Sequence, residues 1–271
     1  MVAVTRADIA SLIAARLAAR EREIAAQFAS GAHFVVDDLL PEAAAREIHA
    51  CFPDPSRMML RRSLRERKYV TSQMDECAPL IGEVIYAFQD ARVVAAVARA
   101  TGLESLEPDE KLYAGGVSLM ARGHYLQPHI DNSHDMERRR YRVLNLLYYV
   151  SPGWNTEDGG HLELWPHGVG REPNTIESRF NRLLVIATHR RSWHSVSPVR
   201  ADRNRTCVSN YYFSTVSPEK EDYFHVTSFR GRPGQPVRDL LLRGDAWLRA
   251  LIRRIKPSGV AQTRHYYKKE R

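Results

Sequence analysis

The run Tyr125-Leu-Gln-Pro-His-Ile-Asp ends in a histidine and an aspartate two residues apart, His129 and Asp131. On an extended chain such residues project from one face, so the imidazole and the carboxylate can reach one metal ion. An isolated His-x-Asp is more often a loop histidine beside a solvated acid. A third donor strengthens the metal reading: His194, 63 residues beyond Asp131 in the strand-like run Ser192-Trp-His-Ser-Val-Ser-Pro-Val. Two histidines and one carboxylate leave three positions of an octahedral ion open, a set suited to non-haem Fe(II), whereas zinc favours a closed or nearly closed tetrahedral set. His124, His134, His161, His167 and His189 are rival donors. His189 falls at an expected hairpin turn, and His134 is too near the His-x-Asp to be the distant ligand.

Arg205 opens the next apolar run, Arg-Thr-Cys-Val-Ser-Asn-Tyr-Tyr-Phe. Alternation puts Arg205, Cys207, Ser209 and Tyr211 on one face. A guanidinium inside a β core needs an anion, because an unpaired buried charge is very costly. A planar carboxylate is its bidentate match. Arg203, one alternation earlier and nearer the turn, is the competing anchor.

These residues need a rigid frame. From about residue 111, short apolar runs alternate with turn residues, giving at least six candidate strands in about 100 residues. That texture predicts an antiparallel barrel or double-sheet jelly roll. Upstream, Thr5 with Asp8 forms a capping-box pattern, and Ile9, Leu12, Ile13 and Leu17 predict a helix over roughly 6–28. A short strand from His33, a helix from Glu42 to Cys51, and an amphipathic helix from Glu83 to Thr101 ended by Gly102 follow. The basic, non-periodic stretch Leu60 to Met74 reads as a mobile loop or edge strand. Past Ser217, leucines at helical spacing predict a helix over Val237 to Ile255, then a charged tail. The expectation is an α+β fold with a mainly β core, a single domain over 1–271: helical support over 1–105, β core over 106–216, C-terminal helical extension over 217–271.

The 271 residues are 44% hydrophobic and 27% charged, an ordinary globular balance, with a formal net charge of +8. That charge suits acidic partners but gives no strong nucleic-acid signal. Cys51, Cys77 and Cys207 form no CxxC pair, which points to reduced thiols and a cytoplasmic protein. The N-terminal stretch has no apolar run long enough for a secretory signal or a membrane span.

Tyr141 to Phe213 resembles the prolyl-4-hydroxylase-like branch of the 2-oxoglutarate/Fe(II) oxygenase superfamily. After the His-x-Asp come the paired-tyrosine strand Leu147-Tyr148-Tyr149-Val150, the Gly159-Gly160 strand, and Phe180-Asn181-Arg182-Leu183-Leu184. His194 to Val199 and Arg205 complete the order over roughly 100 residues. The resemblance implies a double-stranded β-helix (jelly roll) core flanked by N- and C-terminal helices. It implies iron(II) on His129, Asp131 and His194, with 2-oxoglutarate and O2 as co-substrates and ascorbate as a stimulant. It places Arg205, Tyr149 and Ser209 at the distal carboxylate of 2-oxoglutarate. Leu119 stands where some relatives have a tyrosine.

The implied reaction is hydroxylation of an unactivated C–H bond of a small molecule, such as an amino acid or biosynthetic intermediate, with release of succinate and CO2. Relatives that halogenate replace the carboxylate that Asp131 supplies here. The alternatives are a prolyl or other residue hydroxylase acting on a protein or peptide, and a non-catalytic or Zn/Mn cupin-like binding domain. Two basic segments are expected at the metal end, Arg61 to Met74 and Asn132 to Arg140. Lys68, Asn132, His134 and Arg138 are the candidate contacts to an acidic substrate, against the plainer reading of a solvated basic rim.

Overall fold

The computed structural model describes residues 5–219 and 221–255, so the charged C-terminal tail lies outside the described residues. Thr5 caps helix α1 (Arg6–Ala19) through a capping box with Asp8, and Ile9, Ile13 and Leu17 are buried. Arg20 leaves helical geometry, so α2 (Glu21–Gly31) is a second helix where one was expected. Beyond α3 (Glu42–Ala50), the region expected as one helix is also two, α4 (Pro79–Ala87) and α5 (Ala91–Thr101). Asp90 makes the break: its carboxylate accepts from the Arg92 amide and starts a new helix. Gly102 ends α5 in the left-handed conformation, φ 68°. The C-terminal α6 spans Pro236–Ile255. No described helix is long and apolar enough to cross a membrane.

The strands are β1 (His33–Val36), β2 (Met59–Arg62), β3 (Glu66–Thr71), β4 (Leu106–Pro108), β5 (Gly116–Met120), β6 (Tyr125–Ile130) and β7 (Tyr141–Tyr149). Then follow β8 (Leu162–Leu164), β9 (Asn174–Ile176), β10 (Arg182–Ala187), β11 (His194–Val196), β12 (Arg205–Ser214) and β13 (Ser228–Phe229). One face of the fold is β1-β10-β7-β12-β5, and the other is β6-β11-β8-β9. β3 joins them by pairing with both β5 and β6. This is a double-stranded β-helix with flanking helices. The stretch expected as a mobile loop or edge strand is therefore a β2–β3 hairpin whose second strand is interior.

Alternation sorts the side chains of the larger sheet. On β7, Leu144, Leu146 and Tyr148 join the core shared with α1, α4 and α5, while Asn145, Leu147 and Tyr149 face a cavity on the other side. On β12, Val208 and Tyr212 join that core, and Arg205, Cys207, Ser209 and Tyr211 face the cavity. Leu119 faces the helices, and its neighbours Ser118 and Met120 face the cavity.

Candidate active site

β6 and β11 run antiparallel with His129 opposite His194, which brings donors 65 positions apart onto one face. His129 Nε2 lies 3.7 Å from Asp131 Oδ1, and His194 Nε2 lies 3.6 Å from Asp131 Oδ2. One donor atom of each lies within 4.8 Å of the other two. Both rings are oriented from behind: His129 Nδ1 sits 3.0 Å from the Gln127 carbonyl and His194 Nδ1 2.9 Å from the Ser192 carbonyl. Such a bond puts the proton on Nδ1 and leaves the Nε2 lone pair for a metal. The Phe229 ring stacks on His129 with centroids 5.0 Å apart.

Burial and the neighbouring His194 pull the His129 pKa down to about 3, so the ring is neutral at ordinary pH. Burial would raise the Asp131 pKa, but Arg142, His194 and His129 outweigh it and hold the carboxyl well below the usual range. Arg142 Nη1 lies 3.3 Å from Asp131 Oδ1, and Asn145 Nδ2 donates to Asp131 Oδ2 at 2.7 Å. Neither partner was expected from sequence. Asn145 shares the Tyr149 face by alternation, a usable signal. Arg142 does not, because a register shift between Tyr212 and Phe213 in the β12–β7 ladder changes the phase of the strand end that carries it.

Arg205 lines the same cavity, is 4% exposed, and has no hydrogen-bond partner for Nε or Nη1. Its guanidinium lies over the Tyr149 ring, and the Tyr149 hydroxyl is also buried without a partner. The backbone makes room for it. A Cβ on Gly160, at φ +67°, would sit 3.2 Å from Arg205 Cδ and 2.9 Å from Val199 Cγ2. Ser209 lines the cavity, with its Oγ 3.7 Å from Cys207 Sγ. Arg203 points elsewhere: it bonds Asp158 and the Pro152 and Gly153 carbonyls.

The structure divides the residues expected to meet substrate. Lys68 and Asn132 line the cavity. His134 and Arg138 do not. His134 packs on Tyr141 and Tyr223 and bonds Ser133 Oγ at 2.8 Å, and Arg138 lies over the Phe224 ring. The reason is local: Arg140 bonds Asp135 at 2.8 Å and Glu107 at 2.6 Å, folding the segment after Asp131 away from the metal end. Among the rival histidines, His161 is engaged with the Thr156 carbonyl and the Ser178 amide, and His189 with the Arg191 amide. The C-terminal extension contributes what the sequence did not suggest, with Thr227, Phe229 and Arg249 all lining the cavity.

Residues 115–213 match the family model of the 2OG-Fe(II) oxygenase superfamily. Egl nine homolog 1 of Rattus norvegicus is 28% identical over 104 residues, covering 38% of this chain and 29% of the relative. The chain thus spans under a third of that relative's length. A Pseudomonas putida prolyl-4-hydroxylase superposes with a TM-score of 0.55 at 19% identity, covering 72% of this chain and 98% of that one. HygX from Streptomyces hygroscopicus, solved with nickel and 2-oxoglutarate, gives 0.52 at 14% identity, covering 74% and 90%. At these identities the two structures bear on the fold.

Proposed function

We propose that this chain, whose β core matches the family model of the 2OG-Fe(II) oxygenase superfamily, is a member of it and hydroxylates an unactivated C–H bond of a small molecule. One observation carries the reading. A buried arginine with orphaned donors opens on the same cavity as a His-Asp-His set. A site for the metal alone would give Arg205 no partner. The distal carboxylate of 2-oxoglutarate is a planar acceptor that would satisfy it, and the Tyr149 and Ser209 hydroxyls lie on the same wall. The donor set also fits iron: two imidazoles and one carboxylate, with half of an octahedron left open.

His129, Asp131 and His194 would hold iron(II). Bound there with 2-oxoglutarate and O2, it would supply oxidative decarboxylation to succinate and CO2, coupled to insertion of one oxygen atom into a C–H bond. Asn145 and Arg142 keep the Asp131 carboxylate charged and fixed in direction. Leu147, Leu162 and Val196 give the cavity apolar stretches of wall. The cavity holds about 400 Å³, the scale of a small-molecule site, which supports a metabolite as substrate over a folded protein.

The test is anaerobic addition of iron(II) and 2-oxoglutarate, read as the weak visible charge-transfer band of the chelate. Succinate release across a panel of amino acids and related metabolites, with product mass, then identifies the substrate. An iron(II)-loaded protein that forms no band with 2-oxoglutarate and releases no succinate would defeat the proposal.

A further inference from the structure

The cavity is more cationic than iron and 2-oxoglutarate require. Six cationic side chains line it, Arg61, Arg65, Lys68, Arg142, Arg205 and Arg249, against two acidic ones, Glu66 and Asp131. A divalent metal adds two positive charges and 2-oxoglutarate removes two, so the loaded site keeps the same excess. Arg142 is committed to Asp131. Arg205 is committed, on the reading above, to 2-oxoglutarate. The remaining cations fall into two clusters on different elements.

On the β2–β3 hairpin, Glu66 faces two cations: Lys68 Nζ lies 3.1 Å from Oε2 and Arg61 Nη1 3.6 Å from Oε1. On α6, Asp245 is shared by Arg65 and Arg249, with Arg249 Nη2 2.9 Å from Asp245 Oδ2. Arg249 Nη1 also donates to the Thr227 carbonyl at 2.9 Å, which fixes it to the segment that carries Phe229. In both clusters one carboxylate serves two cations. Burial, then the neighbouring Arg65, lowers the Arg249 pKa, and the shared Asp245 does not fully offset them. The side chains of Lys68 and Arg249 are 20% and 29% exposed, so salt screens them less than it would a solvated rim.

We propose that the substrate carries an anionic group, a carboxylate or a phosphate monoester, and that Lys68 of β3 and Arg249 of α6 bind it. The inference rests on the oxygenase reading and adds the substrate class. It also gives the C-terminal helix, which lies beyond the family-matched segment, a part in recognition.

Acetate and inorganic phosphate are the probes. Each is titrated into the anaerobic protein loaded with iron(II) and saturating 2-oxoglutarate, with binding read by calorimetry and by perturbation of the charge-transfer band. At least one should bind, more weakly as salt rises. Lys68→Gln and Arg249→Gln should each weaken it about tenfold, the scale of one lost charge-assisted contact. Asp245→Asn and Glu66→Gln remove a competing carboxylate and should tighten it. This opposite sign separates a binding site from general damage to the fold. Preference for acetate identifies a carboxylate, and preference for phosphate a phosphate monoester. Binding of neither anion, or affinities unchanged in both cation variants beside a normal band, overturns the inference alone. Absence of the band in the unmodified protein overturns the oxygenase reading and this inference with it.

Discussion

Arg142 Nη1 sits 3.3 Å from Asp131 Oδ1, so the carboxylate proposed to hold iron is paired with a buried cation before any metal arrives. The pair has a cost and a use. Asp131 stays ionised and fixed, but a metal must share it with a guanidinium. Because the Asp131 pKa is depressed in the folded protein, its charged form favours folding above the ordinary carboxylate range, and that contribution is lost as pH falls through the folded value. Arg142→Leu removes the foremost lowering influence and raises that pKa. Iron should then be lost at a higher pH on stepwise acidification than in the parent protein. Asn145→Ala should shift the loss in the same direction by less. Identical iron-retention curves would show that neither residue governs Asp131.

Replacing each proposed ligand tests the metal centre directly. His129→Ala, Asp131→Ala and His194→Ala should each abolish iron retention after anaerobic reconstitution and gel filtration. Their far-ultraviolet circular dichroism should stay that of the parent, because the β6–β11 pairing that carries both histidines uses backbone bonds. Full iron retention in the His194 variant would move the third ligand elsewhere.

How much of this was legible follows from what each feature depends on. Strand alternation depends only on local spacing, so Arg205, Cys207, Ser209 and Tyr211 could be put on one face from sequence, and the structure shows them there. The meeting of His129 and His194 depends on strand pairing, which spacing suggests but does not dictate. Helix breaks at Arg20 and Asp90 were hidden because hydrophobic periodicity runs across them. Arg142 was hidden by a ladder irregularity, which reverses the phase that alternation predicts. His134 and Arg138 fall outside the cavity lining, where ion pairs from Arg140 hold the segment after Asp131. Arg249 comes from a helix over a hundred residues distant from Asp131 in sequence, and only tertiary packing brings it to the cavity.

Arg205→Ala should raise the 2-oxoglutarate concentration needed for half-maximal charge-transfer absorbance by roughly ten- to a hundredfold. A hydrogen bond to a charged group is worth about 1.5–3 kcal/mol, which sets that range. Arg203→Ala should leave it within about twofold, since exposed ion pairs contribute about 0–1 kcal/mol and Arg203 serves Asp158 at the surface. Equal losses in the two variants would contradict the assignment of Arg205.

Gly160→Ala probes the room that Arg205 needs. The new Cβ would lie 2.9 Å from Val199 Cγ2 and 3.2 Å from Arg205 Cδ, both tighter than ordinary contact. Gly160 also has φ +67°, where an L side chain costs about 1–2 kcal/mol. For a chain of this size that corresponds to a fall in Tm of roughly 2–8 °C. The contact with Arg205 predicts a second effect that strain alone does not. The guanidinium should be displaced from its place over the Tyr149 ring, so 2-oxoglutarate affinity should fall, measured well below the variant's own Tm. Gly102→Ala is the control. It carries a comparable φ of +68°, with no atom within 4 Å of the added Cβ and no part in the cavity. The control should lower Tm and leave 2-oxoglutarate affinity unchanged. If both glycine variants lose stability and neither loses affinity, Gly160 is a strand-turn residue only and does not shape the co-substrate site.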